Sequence, residues 1–200
     1  MIMPSDTRER IVAVARDLVH GASLAEVSID DVCRAAGVHK GSLYHFFPSK
    51  DALGAAVLEL NWAMMSAVLE EAFTDDVAPL ARIDRFVEAF ARMLGLMRQK
   101  MGTTPGCPLG NLAAELAAHG GEVRVRLVRA LRDWTRYFAD AISEAKGRGE
   151  IEPALDPDAA ATRVIAHLQG LALLAKAYDD PDLVLRLKDD LPLLLLNPAR

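Results

Sequence analysis

The amino-acid sequence predicts an all-α protein of about nine helices in two parts, divided near residue 50. Three observations carry this. Ala and Leu dominate over Val, Ile and Thr, and no run alternates apolar with polar residues as a half-buried strand would. Apolar residues recur instead at spacings of three and four, the period of a helix with one buried face. The 200 residues, 52% of them hydrophobic, are enough for a sizeable core and allow one or two domains.

The first helix opens at Ser5 or Asp6, where Asp6 and Glu9 have capping-box spacing, and Ile11, Val14, Ala15 and Leu18 share a face before Gly21 stops it. Ser28 and Asp31 repeat the capping signature at the head of a short helix, Ile29 to Ala36, which Gly37 ends. A second short helix, about His39 to His45, closes before Pro48. Ser49 then caps a long helix from about Lys50 to Phe73, with Leu53, Val57, Leu60, Met64 and Val68 as its apolar stripe. Pro79 suits the first turn of the next helix, which carries Phe86, Phe90, Met93, Leu94 and Met97 on one side. The stretch from Gly102 to Gly110 reads as a loop, and a short helix follows from Asn111 to Ala118. After Gly120 and Gly121, Val123, Leu127, Leu131, Trp134, Phe138 and Ile142 mark a helix that ends at Gly147 and Gly149. Asp156-Pro157 and Asp180-Pro181 read as N-cap and first-turn proline of two last helices, about 157–178 and 181–196.

Composition excludes several classes. Two cysteines, Cys33 and Cys107, make neither a disulfide framework nor a structural zinc site, so a reducing, cytoplasmic setting is expected, with no metal and no cofactor. The start MIMPSDTRER lacks the apolar run of a signal peptide, and the most apolar stretches, 164–178 and 191–196, are too short or interrupted to span a bilayer. The formal net charge of -5 excludes a protein that coats nucleic acid without regard to sequence. That charge is unevenly shared. Residues 1–50 hold six basic and six acidic side chains, and residues 51–200 hold 17 and 22.

Residues 29–46, IDDVCRAAGVHKGSLYHF, have the pattern of a helix-turn-helix. Cys33 is the small residue that lets two short helices cross, Gly37 accepts a positive φ in the turn, and Val32, Ala36, Val38, Leu43 and Phe46 pack the pair onto the first helix. From Val32 to Lys50 there is no acidic residue, while Arg34, Lys40 and Lys50 are basic. A surface facing phosphate must lack carboxylates, and its cations displace condensed counterions. Such a helix presents its N-terminal end to base edges in the major groove. Here Lys40 and Ser42 offer donors to that groove, Gly41 permits close backbone approach, and Tyr44, His45 and Lys50 suit phosphate. Ser28 and His39, heading the two helices, complete the candidate DNA-contacting set. Each of these residues also has an ordinary reading as an exposed rim position.

Residues 6–54, above all AAGVHKGSLYHFFPSKDAL (35–53), resemble the DNA-binding domain of the tetracycline-repressor (TetR) family of bacterial transcriptional regulators. The later order is similar too: a long connecting helix, a helical body, and Gly149-Glu150-Ile151 ahead of Asp156-Pro157. Cys33 stands where the family commonly has alanine. The resemblance implies a homodimeric repressor and no enzyme, with residues 1–50 as the reader and residues 51–200 as a ligand-binding and dimerisation domain. Its partners would be double-stranded operator DNA and a small-molecule effector.

The body is read from its own residues. Phe86, Phe90, Met93, Met97, Trp134 and Phe138, with Trp62 and Met65 nearby, are either bundle core or an adaptable pocket for an uncharged, apolar or aromatic effector. His167 is a core histidine or a polar contact to that effector. Cys107, in GCPLGNLAAELA (106–117), precedes a short helix whose unpaired amides would lower a thiol pKa. The same segment resembles one in a branch of these regulators that includes thiol-based and aromatic-ligand sensors. The alternative reading is therefore an electrophile or oxidant sensor acting through Cys107. An enzyme pairing Cys107 with His119 or His167 finds no carboxylate pair, metal cluster or nucleotide loop to support it. Val164, Leu168, Leu171 and Leu174, then Leu183, Leu187, Leu191, Leu194 and Leu195, form two apolar stripes expected to pair across a twofold axis.

Overall fold

A computed structural model describes residues 7–117 and 121–195. Among the described residues there are nine α-helices, one 3₁₀ segment and no strand, as the composition predicts. They divide into two compact units that do not follow a boundary at residue 50. The first takes Met1–Met64 with Pro108–Val128, and the second Met65–Cys107 with Arg129–Arg200.

In the first unit, α1 (Thr7–Gly21), α2 (Ile29–Ala36) and α3 (Lys40–Phe46) pack together, joined by the start of α4 (Lys50–Ala72), by α6 (Pro108–Leu116) and by the start of α7 (Gly121–Gly147). The expected Asp6–Glu9 cap begins at a residue outside the described set. The buried stripe of α1 is Ile11, Val12, Ala15 and Val19, rotated from the predicted one, which leaves Val14 and Leu18 half-buried. Ser28 caps α2 through a reciprocal capping box. Its hydroxyl accepts from the Asp31 amide at 3.1 Å, and its own amide donates to Asp31 Oδ2 at 3.2 Å. Gly37 ends α2 at φ 65°, and the Val38 amide returns to the Cys33 carbonyl at 3.0 Å. Ser49 caps α4, its hydroxyl accepting from the Ala52 amide at 3.1 Å. The α1–α2 loop is clasped from two sides. Glu115 Oε2 of α6 accepts from the Ala25 amide at 3.2 Å, and Lys50 Nζ donates to the Ala25 carbonyl at 2.9 Å. By length and composition α4 is apolar enough to cross a bilayer, but Leu53, Val57, Leu58, Met65 and Leu69 along it are buried in protein core.

The second unit holds the rest of α4, α5 (Pro79–Met101), the rest of α7, α8 (Pro157–Tyr178), α9 (Leu183–Arg186) and the 3₁₀ segment Lys188–Leu195. Its centre is a set of interlocked rings from α5 and α7. Arg82, 6% exposed, is tolerated beside it because its Nη1 meets Glu144 Oε2 at 2.8 Å and its Nε donates to the Val77 carbonyl at 3.1 Å. Gly149, at φ 75°, closes α7, and the Glu150 amide returns to the Ala145 carbonyl at 3.0 Å. Asp156 caps α8 ahead of Pro157, as predicted.

Two element boundaries differ from the sequence reading. The short helix α6 starts at Pro108, a residue suited to a first turn, rather than at Asn111. The predicted helix 181–196 is instead the four-residue α9 followed by 3₁₀ geometry, because Pro192 lacks an amide hydrogen and its ring would collide with the carbonyl four residues earlier. The expected dimer stripe also changes. Val164, Leu168 and Leu171 are buried within the unit, against which α9 and the 3₁₀ segment pack; Leu191 is buried too, while Leu183, Leu187 and Leu195 are half-buried. Along α8 and α9 the large apolar residues left exposed are Leu173, Leu174, Tyr178 and Leu185. The side chain of Leu194 lies outside the described set, as does His119.

Candidate nucleic-acid interface and effector region

The helix-turn-helix sorts its side chains cleanly. Val32, Cys33, Ala36, Leu43 and Phe47 are buried, with Val38 and Phe46 half-buried at the edge. Phe47, more than Phe46, anchors α3, and the Arg8 guanidinium lies 5.3 Å from its ring centroid. Because α3 has only two turns, fixing Leu43 and Phe47 inward fixes everything else outward. His39, Lys40, Gly41, Ser42, Tyr44 and His45 are all exposed and follow one another around the outer side of α3. A Cβ built on Gly41 would meet nothing within 4 Å. No contact inside the protein therefore accounts for a glycine at a helical position, where it costs about 1 kcal/mol relative to alanine.

The remaining predicted contacts are engaged within the protein. The Ser28 hydroxyl belongs to the α2 cap, and Lys50 reaches the Ala25 carbonyl. The stretch free of acids in sequence is also not free of acids in space. Lys40 Nζ lies 2.8 Å from Asp30 Oδ1, and Arg34 Nη1 lies 3.1 Å from Asp31 Oδ1. The Asp30 hydrogen bond raises the pKa of Lys40, so this ammonium stays charged. Hydrogen bonds from Ser28, with Arg34 adding to them, hold the Asp31 carboxyl below the usual range. Neither acid was singled out from sequence as a neighbour of the reader. The signal was present in the capping box itself, which places Asp30 and Asp31 in the first turn of α2 beside the start of α3.

In the effector region, Trp62 falls in the first unit and the other nine candidates in the second. Phe86, Phe90, Trp134 and Phe138 are fully buried against one another. Phe86 stacks on Phe90 at 5.9 Å and meets the rings of Trp134 and Phe138 at 6.0 and 5.2 Å. Phe73 and Tyr137 extend the group, with Phe73 5.0 Å from Phe138 and 5.6 Å from Tyr137. These two were missed because Phe73 and Tyr137 lie off the predicted apolar stripes of α4 and α7. Met65 is buried, while Met93, Met97 and His167 are half-buried. Among the described residues, Trp134 Nε1 and His167 Nε2 are buried with no hydrogen-bond partner.

Cys107 is 3% exposed and immediately precedes α6. Its Sγ accepts from Gln169 Nε2 of α8 at 3.5 Å. Gly106 lets the loop lie this close to α8. It sits at φ 77°, and a Cβ there would approach Lys176 Cβ and Cδ at 3.3 Å. The same loop is tied down by Asp179, whose carboxylate accepts from Arg98 Nε and Nη2 at 3.1 and 3.0 Å and from the Thr104 amide and hydroxyl at 2.8 and 2.9 Å.

Comparison with known proteins agrees with this architecture. The family described as bacterial regulatory proteins, tetR family, matches residues 11–57, and the tetracyclin repressor-like C-terminal domain matches residues 79–190. The transcriptional regulator AcuR of Cereibacter sphaeroides is 35% identical over 159 residues, covering 79% of this chain and 71% of that one. The HTH-type transcriptional repressor DhaR of a Mycobacterium species is 31% identical over 150 residues, covering 74% and 72%. A crystal structure of a regulatory protein TetR from Rhodobacter sphaeroides superposes with a TM-score of 0.81 at 30% identity, over 94% of this chain and 98% of that one. A chain whose described residues are helical, whose residues 29–46 build a helix-turn-helix, and which matches both halves of one family, belongs to the TetR family of DNA-binding transcriptional regulators.

Proposed function

We propose that this regulator is a cytoplasmic, homodimeric repressor that α3 docks into the major groove of an operator, and that a small apolar or aromatic effector releases it. The observation that carries the DNA half is the outer side of α3, where His39, Lys40, Gly41, Ser42, Tyr44 and His45 are exposed and Gly41 has no internal reason to be glycine. In this reading residues 1–50 serve DNA, with Ser28 and Lys50 holding the reader in shape beside it, and residues 51–200 serve effector and dimer. Lys40→Ala is expected to weaken binding to a duplex selected from a random pool more than binding to a scrambled duplex. Wild-type affinity for the selected duplex, measured by fluorescence anisotropy, would remove α3 from the groove.

The effector half is supported by Met93, Met97 and His167, which the second unit leaves half-buried. The unpaired Trp134 Nε1 and His167 Nε2 favour an effector that also carries a hydrogen-bond acceptor. An effector acts only through its different affinity for the DNA-competent and released states. Screening aromatic and electrophilic compounds for release of the selected duplex tests this, and His167→Ala should raise the concentration an active compound needs.

A second reading, sensing through the Cys107 thiol, is favoured by one observation: Sγ sits at the head of α6 and accepts a hydrogen bond from Gln169. In a Cys33→Ala background, alkylation should then lower DNA affinity, and a Cys107→Ser variant should be indifferent. Unchanged affinity after complete alkylation would dismiss it.

A further inference from the structure

The three cations between Val32 and Lys50 share a property that the charge pattern of the chain conceals. Each is already engaged by the protein. Arg34 faces Asp31, Lys50 donates to the Ala25 carbonyl, and Lys40 faces Asp30. Two of these arrangements have evident structural duties. Asp31 completes the α2 capping box, and Lys50 clasps the α1–α2 loop. Asp30 has no part in the cap. It stands in the first turn of α2, its side chain 60% exposed, and it pairs with the ammonium of Lys40 at the first position of α3.

We infer that Asp30 is a specificity-determining residue, which cancels the charge of Lys40 towards phosphate while leaving its hydrogen-bond donors available to bases. This rests on the reading that the N-terminal end of α3 approaches DNA. An ammonium has three N–H donors. Pairing with one carboxylate uses one of them and leaves two for acceptors such as the O6 and N7 of guanine in the major groove. The net charge of the pair is zero, however, and binding without regard to sequence depends almost entirely on net positive charge meeting phosphate. Asp30 therefore subtracts from attraction to any duplex and subtracts little from recognition of the right one. The same logic suits a chain whose charge of -5 lies wholly outside residues 1–50. Its reader holds cations enough to bind, and each is restrained until the matching sequence rewards the geometry.

The test uses the full chain as wild type, Asp30→Asn, Lys40→Gln and the double variant. Each is titrated by fluorescence anisotropy, over a range of salt concentrations, against a scrambled duplex and against a duplex this protein selects from a random pool. Asp30→Asn should tighten binding to the scrambled duplex by about two- to fivefold, the range an exposed ion pair supports. It should tighten the selected duplex less, so the ratio between the two falls, and when Lys40 is Gln the gain should shrink to what removing a lone carboxylate supplies. Three results would overturn the proposal: no gain on the scrambled duplex, equal gains on both duplexes, or the same gain without Lys40, which would make Asp30 only a bulk charge. If Lys40→Gln alone leaves both duplexes unaffected, the docking of α3 itself fails. That failure differs from the others, in which Lys40→Gln weakens binding and Asp30→Asn does not behave as described. Unchanged thermal melts confirm that the variants fold, as an exposed residue outside the cap should allow.

Discussion

Gly41 separates what a residue does for the fold from what it does for function. A Cβ at that position meets open space, so Gly41→Ala asks nothing of the protein and gains helix propensity. The variant should be more stable by about 1 kcal/mol in chemical denaturation. It should also bind the selected duplex less well, because in the proposed docking the added methyl group stands between α3 and the groove. A change that stabilises the protein and weakens its binding cannot be explained by misfolding. At this scale the sequence was informative where one residue type has one local purpose. Gly37 in its turn and Ser28 in its cap were readable because φ and an i,i+3 hydrogen bond are local facts. The partners of Lys40 and Lys50 were not readable, since each joins segments that only folding brings together: Lys40 to Asp30, and Lys50 to Ala25 twenty-five residues away.

Among the elements, α5 and α7 are held by ring packing, and α8 by the way it ends. Phe86 touches Phe73, Phe90, Trp134 and Phe138 and is fully buried, so Phe86→Ala leaves a cavity on several sides. A loss of about 3–5 kcal/mol is expected in denaturant titrations. The end of α8 makes a prediction about pH. Asp179, in the left-handed region at φ 51°, has its carboxyl held down to about 2, first by hydrogen bonds from Arg98 and then by the Thr104 amide and hydroxyl. An ordinary carboxyl of this kind titrates near 3.8. The stabilisation is therefore complete above about pH 3.8 and is lost as pH falls towards 2. Asp179→Asn, which tolerates the same backbone geometry, should be less stable than wild type at pH 5. The two denaturation midpoints should converge on acidification. A constant gap would show that the charge on Asp179 contributes nothing.

For the whole molecule, the question is which apolar surface remains once each unit has filled its own core. The stripe Val164, Leu168 and Leu171 is consumed internally, whereas Leu173, Leu174, Tyr178 and Leu185 stay exposed. Members of this family act as dimers, and two readers on one duplex require a spacing near the helical repeat of about 34–36 Å or a multiple of it. The exposed set is the surface proposed for that contact. Leu173→Glu should keep its helical circular dichroism, sediment as a monomer, and lose most of its affinity for the selected duplex. A dimer that survives the change would move the interface elsewhere. Of the second unit's candidates, the rings were predicted as either core or pocket, and they are buried against one another, which both readings allow. The periodicity that identified them could not decide this, because a wall of a pocket and the inside of a bundle show the same spacing.

The sequence by itself determined that the chain is helical, where most helices begin and end, and that residues 29–46 form a helix-turn-helix with α3 facing outward. Those properties follow from short-range physics: caps, turn glycines, first-turn prolines and apolar spacing act within one or two helical turns. Only the tertiary structure decided how the long-range neighbours pair. It set Asp30 against Lys40, drew α6 and the start of α7 into the unit that holds the reader, and buried Val164, Leu168 and Leu171 of the predicted dimer stripe inside the body. It also broke the last helix into 3₁₀ geometry, where the Pro192 ring overrides leucine spacing that reads as continuous. Contacts between segments distant in the chain depend on which faces meet, and periodicity reports only that a face exists.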